Sequence, residues 1–140
     1  MILADTGFWL ALANPKDRDH VIAVGALEEI REPLTTTWPV LTETCHLLLS
    51  RHGAGAARKL LESGKNGAFE VFQLEAAHLG RISELMKRYE NLPMDLADAS
   101  LVVAAEVLGS GRILSTDRRD FRAYRWKDRK PFKNLIALSD

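Results

Sequence analysis

Five carboxylates stand where a charged side chain is hard to accommodate. Asp5 ends the apolar run MILAD, and Asp117 ends the apolar run in RILSTD. Ligands of open parallel sheets bind outside the carboxyl ends of the strands, so acids at two such ends can face one crevice. Asp95 and Asp98 open DLADASLVVAAEVLG, in which apolar residues cover nearly the whole circumference of a helix. A helix apolar all round is a buried one. Asp98 lies beneath Val102 and Ala105, with Asp95 one turn before it; either acid can also serve as a helix cap. Glu43 sits at the rim of the stripe Val40, Thr44, Leu47 and Leu48, where plain solvation is equally open to it. Neighbouring carboxylates repel and raise one another's pKa. Three or four of them stay ionised together only around a positive charge, and hard oxygen ligands favour Mg²⁺ or Mn²⁺. Periodicity alone does not bring Glu43 beside the others.

The elements that must hold these acids follow from local patterning. Residues 2–5 read as a first strand, and Thr6–Ala13 as a helix stopped by Asn14-Pro15. Asp19 caps a helix over 20–31 with Val21, Val24 and Leu27 on its apolar face; Pro33 ends it. Leu34–Thr37 is a short strand. Pro39 suits the first turn of a helix running to about Ser50. After a break at 51–55, residues 56–63 are helical, and the aromatic and β-branched stretch 68–74 is a strand. Leu79, Ile82, Leu85, Met86 and Tyr89 place an amphipathic helix over 76–90. A further helix covers 95–108, and strands cover 112–115 and 135–138. Strands separated by helices predict an α/β fold with a parallel sheet, in a single domain spanning residues 1–140.

Composition narrows the function. The chain has 140 residues, 46% of them hydrophobic, with nineteen basic and nineteen acidic side chains. Zero net charge excludes a uniformly basic nucleic-acid coat. It conceals a local excess: residues 118–133 carry eight basic residues against two acidic ones. That stretch reads either as a solvated face or as the contact for an anionic partner. Cys45 is the only cysteine, which excludes an intramolecular disulfide and suits a reducing, cytoplasmic setting. No signal peptide or membrane span is read. His20, His46, His52 and His78 form no HExxH pair, and Glu43-x-x-His46 lacks the second copy a di-iron bundle requires. Gly7 stands where an aspartyl-phosphate phosphatase needs a second Asp. No phosphate-cradling glycine motif occurs, and Ser50, Ser63, Ser83 and Ser100 lack a nucleophile elbow.

Asp5-Thr6, Glu43, the run Pro93-Met94-Asp95-Leu96-Ala97-Asp98-Ala99-Ser100 and the run Ser115-Thr116-Asp117-Arg118-Arg119-Asp120-Phe121 occur in this order. Together they resemble the PIN-domain nucleases, and among them the VapC-type toxins of toxin–antitoxin pairs. The resemblance covers essentially the whole chain. It implies a three-layer fold with a central parallel sheet of about five strands flanked by helices, and a Mg²⁺- or Mn²⁺-dependent endoribonuclease. Asp5, Glu43, Asp98 and Asp117 become the catalytic quartet, with Asp5, Asp98 and Asp117 on the metal. Asp95 is an additional acid, and Asp120 either shares or replaces the role of Asp117. Thr6, Ser115 and Thr116 line the site. The expected reaction is in-line attack of an activated water on single-stranded or looped RNA, leaving 5′-phosphate and 3′-hydroxyl ends. Arg118, Arg119, Arg122 and Arg125 are candidate phosphate contacts, and Trp126 a candidate base-stacking platform. The implied partners are RNA, a homodimeric second copy and a cognate antitoxin. The antitoxin would lay an apolar segment on helices one to three, near Phe8, Trp9 and Leu12. An RNA-processing nuclease that is not a toxin, and a non-catalytic binding module of the same fold, are the alternatives.

Overall fold

A computed structural model describes residues 1–117 and 119–136. Its centre is a five-stranded parallel sheet built from β1 (Ile2–Ala4), β2 (Leu34–Thr37), β3 (Phe69–Phe72), β4 (Arg112–Leu114) and β7 (Lys133–Asn134), in the order β3-β2-β1-β4-β7. The three residues of β1 are all buried and apolar, as a strand covered on both faces requires. From β1 the chain builds outward to β2 and β3. It then crosses back to lay β4 on the other side, pairing Leu3 with Ile113 and Ala4 with Leu114. This reversal makes the β1/β4 junction the switch point of the sheet, where a ligand crevice opens at the strands' carboxyl ends.

Helices cover both faces. Thr36 of β2 turns toward α1 (Thr6–Ala13), whose Trp9 indole donates to its hydroxyl at 3.4 Å. Thr37, on the opposite face by strand alternation, meets Ser100 of α6 (Leu96–Leu108) at 2.6 Å between hydroxyl oxygens. Thr37 also caps α3 (Trp38–His52) by accepting the Val40 N–H, so one residue fixes the starts of both packing partners. The remaining helices are α2 (His20–Glu29), α4 (Ala54–Lys65), α5 (Leu79–Arg88) and the single turn α7 (Asp120–Ala123). The break expected over 51–55 shrinks to Gly53, whose φ of 90° ends one helix and admits the next. Residues Ala76–His78 form a 3-10 turn ahead of α5. None of the helices is long and apolar enough to cross a membrane among the described residues.

Three expectations require correction. Helix α2 buries Ala23 and leaves Val21 81% exposed, so its inward face is rotated from the one read in sequence. Asp19 stands at the N-cap position of α2, but its side chain makes no capping hydrogen bond there; its carbonyl accepts the Ala23 N–H at 2.9 Å. The last strand is Lys133–Asn134, because Lys133 and Leu135 N–H groups donate to Gly111 and Ile113 carbonyls along β4. The expected continuation over 137–138 lies outside the described residues. Beyond the sheet, β5 (Arg125–Trp126) and β6 (Lys130–Pro131) form an antiparallel hairpin whose turn residues Lys127 and Asp128 are both left-handed.

Candidate active site

Asp5 follows β1 and caps α1, accepting the Phe8 N–H on Oδ1 at 2.9 Å. Ser115 follows β4 one step beyond the Ala4–Leu114 pair, so strand register sets it beside Asp5. Its hydroxyl donates to Asp5 Oδ2 and accepts the Asp117 N–H at 3.0 Å. Asp117 in turn accepts the N–H groups of Arg119 and Asp120, both at 2.7 Å, and so organises the start of α7. The close passage of α1 past this loop requires Gly7, since a Cβ there would collide with the Thr116 hydroxyl.

From the other wall, Asp95 caps α6 by accepting the Asp98 N–H at 2.8 Å. Asp98 sits in the first turn of α6 and accepts the Tyr124 hydroxyl on Oδ2 at 2.8 Å. Glu43 comes from α3, which packs against both α1 and α6. Asp5, Thr6, Gly7, Glu43, Asp95, Asp98, Thr116, Asp117 and Asp120 all line one cleft of ≈ 350 Å³. The structure thus brings Glu43, the acid that periodicity could not position, to the same cleft as the others.

The electrostatics match this crowding. Asp5 is 5% exposed, and burial pushes its pKa up to about 7 against the Ser115 and Phe8 hydrogen bonds, with Asp117 and Glu43 adding repulsion. Burial likewise pushes Asp98 up to about 8, aided by the charge of Asp95 and opposed by the Tyr124 hydroxyl. Asp120 is raised by burial and by the adjacent Asp117. Burial and the Asp98 charge hold the Tyr124 phenol well above its ordinary range, so it remains a donor.

Among the described residues, no three His, Cys, Asp or Glu side chains are placed closely enough to hold a metal ion together. The donor chemistry nevertheless fits a hard divalent cation. The cleft offers only oxygen donors, its acids resist ionising together, and the Thr6 hydroxyl is buried without a hydrogen-bond partner.

The basic stretch divides. Arg118 lies outside the described residues. Arg119 pairs with Asp120 at 3.2 Å and donates to the Leu92 carbonyl, while Arg122 is exposed on α7 itself. Arg125 folds back onto the carbonyls of Arg122, Ala123 and Tyr124, acting as a cap for α7. Trp126 corrects the stacking expectation. It is 8% exposed, its indole donates to the Pro131 carbonyl, and the Lys130 ammonium lies 4.8 Å from its ring centre. A nucleobase has no face of this ring to stack on. The residue that sequence reasoning missed is Tyr124. Its signal was the aromatic series Phe121, Tyr124 and Trp126 threaded through the basic run, which marks a buried face within a charged segment.

Phe8 is fully buried, so it is not a surface contact; Trp9 and Leu12 line an apolar cleft of ≈ 370 Å³ with Leu27, Leu48 and Leu60.

A parallel sheet with acids converging at its switch point places this chain among the α/β proteins whose ligand crevice lies at the strands' carboxyl ends. The model of the PIN domain family matches residues 2–127, and the chain belongs to that family. It is 27% identical over 124 residues to Ribonuclease VapC26 of Mycobacterium tuberculosis, covering 89% of this chain and 92% of that protein. Among solved structures, it is similar to VapC20 of Mycobacterium tuberculosis, described as a Sarcin-Ricin loop cleaving toxin. That similarity has a TM-score of 0.79 at 24% identity, covering 85% of this chain and 92% of the other, and shows the fold.

Proposed function

We propose that this protein is a divalent-metal-dependent endoribonuclease and the toxin of a toxin–antitoxin pair. The observation that carries this reading is the convergence of Asp5, Glu43, Asp98 and Asp117 on one cleft at the β1/β4 switch point. The relative named as a ribonuclease, and the fold shared with a protein described as a Sarcin-Ricin loop cleaving toxin, support it.

In this reading Asp5, Asp98 and Asp117 hold Mg²⁺ or Mn²⁺. Bound there, the cation neutralises phosphate charge and makes a water more acidic. Ser115 and the Phe8 N–H fix both oxygens of Asp5, so its orientation is set before substrate arrives. Glu43 stands outside the metal set and accepts the proton released by the attacking water. A bond forms from that water to phosphorus, the P–O3′ bond breaks, and the leaving 3′-oxygen takes a proton from solvent water. Arg119, paired with the cleft acid Asp120, and Arg122, two residues further on, would supply phosphate contacts that the acids cannot. The protein is cytoplasmic and homodimeric in this reading. Its antitoxin covers the apolar cleft at Trp9 and Leu12.

The deciding experiment is cleavage of total RNA by the parent and Asp98→Asn, with Mg²⁺, with Mn²⁺ and with a chelator, and with the cut ends sequenced. The parent is expected to cut only with metal, leaving 5′-phosphates, and Asp98→Asn to lose cleavage. Equal cleavage by the two proteins would overturn the assignment. Induced expression is expected to arrest growth, and the product of an adjacent small reading frame to relieve it. Continued growth would remove the toxin reading and leave the nuclease intact.

A further inference from the structure

We propose that Tyr124 is a positioning residue: its hydroxyl holds Asp98 Oδ2 and so fixes the rotation of a carboxylate that would ligate the cation. This rests on the nuclease reading, and it assigns a metal-organising role to a residue outside the acid set. A carboxylate turns broadly about its terminal torsion, so an unheld Asp98 presents a spread of lone-pair directions. A hydrogen bond at 2.8 Å to Oδ2 removes that freedom.

The phenol can enforce an orientation because it is itself immobilised. Tyr124 is 0% exposed. Its ring packs edge-on against Tyr89 at 5.0 Å and Phe121 at 5.1 Å between centroids. Its backbone N–H closes α7 on the Asp120 carbonyl at 2.9 Å. The next residue, Arg125, donates its N–H to the Tyr89 hydroxyl at 3.0 Å. The hairpin that follows is clamped to α6 itself, where Glu106 accepts the Lys127 N–H at 2.6 Å and a two-pronged contact from Arg81. Arg81 also pairs with Asp128 at the hairpin turn, at 2.8 Å. Asp98 and Glu106 lie on the same helix, about two turns apart. The chain therefore carries Tyr124 to Asp98 from an anchor on the helix that bears Asp98.

Partners that orient a metal ligand typically contribute about 10- to 100-fold in metal affinity. The test is Tyr124→Phe in the full chain, which keeps the ring and deletes the hydroxyl. Tyr89→Phe serves as the comparison: it removes the acceptor of the Arg125 N–H, one anchor of Tyr124, and leaves the bond from Tyr124 to Asp98 in place. Mn²⁺ affinity is read by calorimetry and by the metal-dependent rise in melting temperature; RNA cleavage supplies KM and kcat. Tyr124→Phe is expected to need at least about tenfold more Mn²⁺ for half-saturation, with KM for RNA near the parent value and kcat restored at high Mn²⁺. Tyr89→Phe is expected to shift the Mn²⁺ midpoint less than Tyr124→Phe does. An unchanged midpoint in Tyr124→Phe, or an equal shift in Tyr89→Phe, would overturn the proposal. A parent that binds no Mn²⁺ would instead overturn the nuclease reading.

Discussion

Ser115 donates its hydroxyl to Asp5 across a sequence separation of 110 residues. That contact joins the ends of the two central strands, and the same oxygen accepts the Asp117 N–H. One hydroxyl thus sets two acids of the cleft.

Ser115→Ala removes a donor that favours the ionised form of Asp5. The loss of stability is expected to be about 1–3 kcal/mol when Asp5 is charged and smaller when it is neutral. Chemical denaturation of the metal-free protein on either side of the Asp5 titration measures this. Equal losses at both pH values would show that Ser115 does not support the carboxylate.

Asp5 and Asp98 titrate near 7 and 8 in the folded chain, above an unfolded value of about 3.9. Between these limits the folded state holds protons that the unfolded state has released, so stability falls as pH rises. The metal-free protein is expected to be more stable at about pH 5 than at about pH 8.5, by a few kcal/mol on an order-of-magnitude basis. Glu32 and Asp128, whose pKa values are lowered by arginine partners, lose their contributions only in more acid solution. Added Mg²⁺ or Mn²⁺ is expected to flatten the profile by stabilising the charged cluster at high pH. Melting curves with and without metal test both statements; a rise in metal-free stability from pH 5 to 8.5 would contradict them.

Gly111→Ala tests the burial of Trp126. A Cβ at position 111 would collide with the indole nitrogen and come within 2.9 Å of Cε2. Because the ring is buried and bonded to Pro131, it cannot swing away. Overpacking of this kind costs about 1–3 kcal/mol, measured by denaturant midpoint. Unchanged stability would mean that Trp126 is not seated against β4.

Arg122→Glu addresses the basic stretch without disturbing the cap made by Arg125. RNA affinity is expected to fall, and the slope of log affinity against log salt to decrease by about one, with Mn²⁺ affinity retained. Filter binding across a salt series provides the measurement, and an unchanged affinity would show that Arg122 does not contact RNA.

Much of this arrangement is legible in the sequence, for identifiable reasons. Thr6–Ala13 and Leu34–Thr37 match the expected limits because Asp5, Asn14 and Thr37 punctuate them locally. Helix α2 was misread in its facing because Val21, Ile22, Ala23 and Val24 are consecutive and apolar, so several stripes score alike. Neighbouring helices, not periodicity, selected Ala23. Asp5 and Asp117 were visible as acids at strand ends. The position of Glu43 depends on how α3 packs between α1 and α6, which no local pattern encodes. Tyr124 was hidden in a charged run whose net sign drew attention from its aromatics. Its bond to Asp98 spans 26 residues and exists only after the hairpin docks.

The strand order has a consequence for synthesis. β1 is made first yet lies at the middle of the sheet, and its neighbour β4 follows more than a hundred residues later. Non-local pairing of this kind forms late. A chain emerging from the ribosome therefore displays Asp5 long before Ser115 and Asp117 exist to complete the cleft. The acids cannot all converge until β4 and the loop after it have been translated, so a nascent fragment ending before Ser115 holds only part of the cleft.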